Sequence, residues 1–295
     1  MFKSLSLSTM ALASIAVQQA HSQMVSQDVL TTGIATAMLN LEGAHVIPDL
    51  LPASSFNISA LLQETFGSMS VNPGQTFSIE QVADAPSMAL QYNSAEAAAI
   101  SGAAYTVMTL DPGAATSTAG NVVRHYLANN VTLSNGMLQN TTQAIAGWFS
   151  PAPPPGDGVH RYTTLVFSQP SSFNLPNSLS HYNATIDTDF DVSSYIKQTG
   201  LGDVIAATFF LCSNTTTSAS TTVTAVSTTP VSPASISAAA ATVSSSLVAA
   251  YGAPSSATAM SGSTGGMTSG AISSYTVFTG MVFAASALIG AAILV

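Results

Sequence analysis

The sequence predicts a mainly β domain, a central antiparallel sheet with helices at its periphery. Three observations point there. Short runs rich in β-branched and aromatic residues recur between Pro and Gly. Helical periodicity is confined to stretches near the two ends of that region. Strand and helix patterns do not alternate as βαβ units require.

Taken in order, Leu30, Ile34, Met38 and Leu41 recur at helical spacing behind Ser26-Gln27-Asp28, which predicts a capped amphipathic helix. A loop with Pro48, Pro52 and Ser54-Ser55 follows. The pattern then turns to strands over Thr76–Val82, Met88–Tyr92, Ala104–Leu110, Val122–Ala128, Tyr162–Ser168 and Ala206–Leu211. Before the last of these, Asp189-Phe-Asp191-Val-Ser-Ser-Tyr195-Ile-Lys-Gln-Thr-Gly200 reads as a capped helix with a glycine stop. The folded domain is residues 23–213, long enough for a core of its own.

The flanks read as addresses. Met1-Phe2-Lys3, an apolar run from Leu5 to Val17 and Ala20-His21-Ser22 form a secretory signal over residues 1–22. Residues 214–270 are dominated by Ser, Thr, Ala, Val, Gly and Pro, the composition of a disordered, O-glycosylated stalk. Within it Ala234–Tyr251 is Ala-rich enough to become transiently helical. Small residues Ser261-Gly262-Ser263, a polar spacer and an apolar tail give residues 271–295 the order of a glycosylphosphatidylinositol signal. Five Asn-x-Ser/Thr sequons, at Asn57, Asn130, Asn140, Asn183 and Asn214, fit a secreted route. Together these place the protein at the cell surface or cell wall, held on the membrane through a lipid anchor.

Composition excludes some functions. Only 6% of the 295 residues are charged and the net charge is −9, with four Lys+Arg in all. Phosphate backbones and polybasic membrane contacts need clustered cations, so a nucleic-acid partner is not expected. A single cysteine, Cys212, rules out an intramolecular disulfide and reads as a buried thiol at a strand end.

Against this scarcity of positive charge, two His–Arg pairs stand out: Arg124-His125 and His160-Arg161. Val123, His125 and Leu127 are expected to share one strand face. Asp111 ends an apolar strand and is followed by a Pro112-Gly113 turn. His160 opens a strand behind Pro153-Pro154-Pro155-Gly156-Asp157-Gly158. Two imidazoles and a carboxylate beside a Gly-rich turn suit a small anion: imidazoles and turn N–H groups donate, and the carboxylate sets the charge of one histidine. The same residue types could hold a metal or perform acid–base chemistry on a phosphate ester. No Gly-x-Ser-x-Gly elbow accompanies them.

Asp111-Pro112, Arg124-His125-Tyr126-Leu127 and Pro153-Pro154-Pro155-Gly156-Asp157-Gly158-Val159-His160-Arg161-Tyr162, with Phe190-Asp191-Val192 to Phe209 downstream, resemble the phosphatidylethanolamine-binding protein family over about residues 53–211. The resemblance implies a central antiparallel sheet, a smaller sheet and flanking helices. It also implies a small rim pocket for phosphate or a phospholipid headgroup, lined here by Asp111, His125, Pro154 and His160. Arg161 is then a structural residue of the loop network. An anion rather than a metal is implied, so no metal, no cofactor and no catalytic activity are expected. Some relatives inhibit serine proteases, including carboxypeptidases, which makes a secreted peptidase the alternative partner. A third reading is a structural cell-wall mannoprotein. The chain departs from the family's Asp-Pro-Asp-x-Pro turn at Gly113 and Ala115, so one pocket carboxylate is missing from that turn.

Overall fold

A computed structural model describes residues 24–114, 122–179, 186–214 and 231–254. The signal region 1–22, Ala115, Asn183 and the tail 271–295 lie outside the described residues, as do 215–230 and 255–270 of the expected stalk.

The predicted first helix forms as α1 (Gln27–Gly43), its N-terminus capped by the Ser26 hydroxyl, which accepts from the Val29 N–H. Leu30, Ile34 and Leu41 are buried along one stripe. A short helix, α2 (Val46–Asp49), turns the chain into the sheet. The strands are β1 (Leu61–Phe66), β2 (Met69–Ser70), β3 (Gln75–Phe77), β4 (Ser87–Gln91), β5 (Ala104–Asp111), β6 (Val123–Ser134), β7 (Met137–Asn140), β8 (Val159–Ser168) and β9 (Val204–Ser213). Between them lie α3 (Ala97–Ser101), after β4, and α4 (Val192–Thr199), before β9. α4 carries the expected caps: Asp191 accepts from the Ser194 N–H, and Gly200 closes the helix at φ 68°.

The nine strands form one sheet in the order β2-β1-β4-β7-β6-β5-β8-β9-β3. The fold is mainly β, as the sequence predicts, and every pairing is antiparallel except β3 with β9. The smaller sheet is continuous with the central one, because β7 pairs with both β6 and β4.

Two expectations about elements change. Thr76–Val82 is not a single strand; β3 ends at Phe77, and Glu80–Val82 form one turn of 3-10 helix. The break comes where the Gln81 side chain accepts from the Ser78 N–H, which takes that donor away from a sheet ladder. The expectation of a disordered stalk likewise fails for α5 (Pro233–Tyr251). Ser232 caps it, Pro233 occupies the first helical turn, and Leu247 is buried against Leu30 and Ile34 of α1. Burying that side chain supplies what an isolated Ala-rich helix lacks.

The sheet separates two cores. On one face Leu110, Leu127, Leu165 and Phe209 pack against α2 and α4 residues such as Val46, Val192 and Tyr195. On the other, Val107, Ala128 and Val166 lead along the sheet to Phe66, Tyr162 and Phe210. Cys212 lies in this second core, and burial pushes its thiol up to about 11, which keeps it protonated and inert.

Candidate functional site

β5 is antiparallel to both β6 and β8, so its C-terminal residue lies beside the N-terminal ends of the two neighbours. That topology brings Asp111, the last residue of β5, to His125 of β6 and His160 of β8. All three side chains are buried at one end of the sheet.

His125 reaches the cluster through a β-bulge. Thr109 of β5 pairs with Tyr126 and Leu110 pairs with Arg124, so His125 is the extra residue between them. The bulge breaks the alternation expected from the sequence. Leu127 enters the core on the helix-covered face, whereas the His125 ring meets the Tyr162 ring edge-on at 5.0 Å, on the opposite face. Val123, His125 and Leu127 therefore do not share a face.

Each His–Arg pair is split across the sheet. His160 stacks toward Tyr162, with centroids 6.4 Å apart. Arg161 points the other way. Its Nη1 donates to the carbonyls of Ala44 (2.9 Å) and His45 (3.0 Å) and to Asp49 Oδ2 (2.8 Å), while Nε donates to the Gly113 carbonyl at 3.1 Å. Arg161 thus fastens the α1–α2 corner to the turn after Asp111, the structural position expected for it. Arg124 pairs with Asp187 at 3.4 Å and lies over the Phe190 ring. Neither guanidinium joins the histidine face.

The two imidazoles differ in protonation. His125 Nδ1 lies 2.7 Å from the Phe149 carbonyl, an acceptor, so Nδ1 carries the hydrogen and the lone pair sits on Nε2. Burial holds the His125 pKa below the usual histidine range; the Phe149 bond and the Asp111 charge only partly offset it. His160 faces carboxylates on both sides, with Nδ1 2.8 Å from Asp111 Oδ2 and Nε2 3.0 Å from Asp157 Oδ2. Burial again opposes its charge, but the two carboxylates outweigh it and the pKa rises. Burial thus favours the neutral form of His125, whereas the two carboxylates favour the charged form of His160. Asp111 also accepts from the Gly113 N–H at 2.7 Å through Oδ1, which holds its carboxylate in place.

Pro154 is exposed, and its carbonyl accepts from the Asp157 N–H at 3.2 Å, forming the turn that carries Asp157 back to His160. Sequence reasoning missed Asp157. The available signal was its place three residues before His160, between Gly156 (φ 81°) and Gly158 (φ 96°). Of the sequon residues, Asn57, Asn130 and Asn140 are exposed and Asn214 is half-buried. Among the described residues no group of three or more His, Cys, Asp or Glu is arranged to hold a metal ion.

The chain is thus a mainly β domain built on one nine-stranded sheet, with Asp111, His125 and His160 gathered at one end of it. The family model "Phosphatidylethanolamine-binding protein" matches residues 67–210. Over these residues the chain belongs to the phosphatidylethanolamine-binding protein family. It is 33% identical over 85 residues to Phomoidride biosynthesis cluster protein N of a fungal species, covering 28% of this chain and 39% of that protein. The protein of the same name from Talaromyces stipitatus is 32% identical over 73 residues, covering 24% and 36%. The chain thus spans less than two-fifths of the length of these curated relatives. Among solved structures, it is similar to a carboxypeptidase Y inhibitor complexed with its cognate proteinase (20% identity, TM-score 0.49, covering 63% of this chain and 100% of that one). It is also similar to the phosphatidylethanolamine-binding protein of Plasmodium vivax (13% identity, TM-score 0.49, covering 60% and 96%).

Proposed function

We propose that this protein is a non-catalytic binding module that takes a small anion, phosphate or a phospholipid headgroup, at the Asp111–His125–His160 cluster. The observation that carries the reading is the convergence of these three side chains from β5, β6 and β8, with His160 Nδ1 2.8 Å from Asp111 Oδ2, a contact that favours the charged imidazole. An imidazolium at a sheet end donates charge-assisted hydrogen bonds to an anion. The neutral His125, with its Nε2 lone pair, suits the P–OH of a monoprotonated phosphate. The cluster lacks an activated nucleophile, which favours binding over turnover. In this reading the domain acts outside the cell, with residues 1–22 removed, sugars on some of the sequons and residues 271–295 exchanged for a lipid anchor.

Titration calorimetry of the full chain with inorganic phosphate and phosphoethanolamine tests the proposal. Heat with either ligand, lost in both His125→Ala and His160→Ala variants of unchanged circular dichroism, is the expected result. Absence of heat with both ligands overturns it. In that case inhibition of secreted serine carboxypeptidases becomes the reading to assay.

A further inference from the structure

We infer that Asp157 is a built-in competitor for the anion site, a carboxylate latch that an incoming ligand must displace from His160. The inference rests on the anion-binding reading above and concerns how that site is regulated.

The two ring nitrogens of His160 have different partners. Nδ1 is committed to Asp111, whose side chain is only 4% exposed and is further held by the Gly113 N–H. Nε2 is then the nitrogen left to meet a ligand. Asp157 Oδ2 lies 3.0 Å from it and takes its hydrogen. A carboxylate in that place offers Nε2 the same charge and the same acceptor geometry as a phosphate oxygen.

The two carboxylates are not equivalent. Asp157 is 55% exposed at the side chain and is carried on the Pro154–Asp157 turn, with a left-handed glycine on each side. A half-exposed ion pair is weak and is exchanged readily for water or another acceptor. Asp111 fixes the charge of His160, and Asp157 decides whether Nε2 is available. An anion and Asp157 cannot occupy Nε2 together, because two like charges would sit at hydrogen-bond distance from one donor.

Asp157→Asn keeps the shape of the turn residue and removes the competing charge. Titrated with inorganic phosphate, the full chain carrying Asp157→Asn should bind about threefold to tenfold more tightly than the unaltered chain, the range set by losing one weak ion pair and one like-charge repulsion. Phosphoethanolamine should gain less, since its ammonium can pair with the displaced Asp157 in the unaltered chain. Asp157→Ser, which also removes the charge, should reproduce the phosphate effect. The gain should vanish in a double variant with His160→Gln. If the unaltered chain binds phosphate and neither Asp157 variant binds it more tightly, the latch is wrong and the site stands. If no form binds phosphate, the latch falls together with the anion-binding reading.

Discussion

His160 Nδ1 stands 2.8 Å from Asp111 Oδ2, and both side chains are withdrawn from solvent. The pair joins the last residue of β5 to the second residue of β8, so the charge state of the histidine depends on the register of the sheet. Asp111→Asn should test this dependence directly. The amide retains an oxygen for the Gly113 N–H but presents no charge to His160. Burial then dominates, and the His160 pKa should fall from its raised position, read by an NMR titration of the imidazole nitrogens. A loss of about 1 to 3 kcal/mol in stability at pH 6 should accompany it, the scale for a buried charge-assisted hydrogen bond. A His160 titration curve unchanged by Asp111→Asn would remove Asp111 from the role given to it.

Arg161 offers a second test, because it spends its hydrogen bonds on two different parts of the chain. Nη1 serves Ala44, His45 and Asp49, and Nε serves Gly113. Arg161→Ala leaves the Ala44, His45 and Gly113 carbonyls without their donor and should cost about 1 to 3 kcal/mol, the scale for leaving buried acceptors unpaired; Asp49, 39% exposed, is rehydrated. Arg161→Lys should separate the two attachments. A lysine ammonium can serve the α1–α2 corner but cannot also reach the Gly113 carbonyl as the planar fork does. Thermal unfolding should therefore show Arg161→Lys between the unaltered chain and Arg161→Ala, while phosphate affinity falls in both variants.

Much of this architecture was legible in the sequence, and the exceptions have identifiable causes. α1 and α4 announced themselves through apolar spacing and caps, and β5 and β8 through β-branched and aromatic runs. β1 escaped notice because its inward positions are Leu62, Glu64 and Phe66, and a buried glutamate interrupts the apolar alternation. The His125 bulge left no mark because bulges depend on pairing with a distant strand, here β5. Asp111, His125 and His160 were recognisable from their motifs. Asp157 was not, since an acid between glycines reads first as a turn residue. In α5, the four-residue spacing of Val243, Leu247 and Tyr251 was present, but Ser and Ala between them matched a stalk equally well. What decided the matter was a partner, the α1 face that carries Leu30 and Ile34.

That docking is itself open to measurement. Leu247 is 4% exposed against Leu30 and Ile34 and is the buried anchor of α5. Leu247→Ala should weaken the contact by about 2 kcal/mol, the low end for truncating a buried leucine because the site is peripheral. The consequence should be local. Amide exchange should accelerate across 233–251 and along the α1 face it covers, with β5, β6 and β8 unaffected. Equal acceleration through the sheet would mean that α5 belongs to the cooperative core rather than resting on it.

Glu64 ties the stability of the domain to pH from a position far from solvent. Glu64 is fully buried, its Oε1 accepts from the Thr164 hydroxyl, and Thr164 in turn lies 3.0 Å from Thr109 Oγ1. Burial raises its pKa from 4.5 to about 8, outweighing the Thr164 bond, so the folded chain holds it as a neutral acid at pH 7. A carboxyl whose folded pKa lies above its unfolded value binds an extra proton in the folded state. Its contribution to stability is complete below pH 4.5 and is lost as pH rises through about 8. His160, also raised, acts in the same direction, its contribution complete below the ordinary histidine range and lost above its folded pKa. His125, lowered by burial, opposes them, since its contribution is present above the ordinary histidine range and lost as pH falls through its folded pKa. The net expectation is a stability that declines from pH 6 to pH 9. Glu64→Gln should flatten that decline, because the amide keeps an acceptor for Thr164 and has no proton to lose. At pH 9 the variant should be more stable than the unaltered chain by up to about 5 kcal/mol, with the difference narrowing toward pH 5. Urea unfolding at four pH values between 5 and 9 reads both slopes, and a decline that persists undiminished in Glu64→Gln would show that Glu64 is not its source.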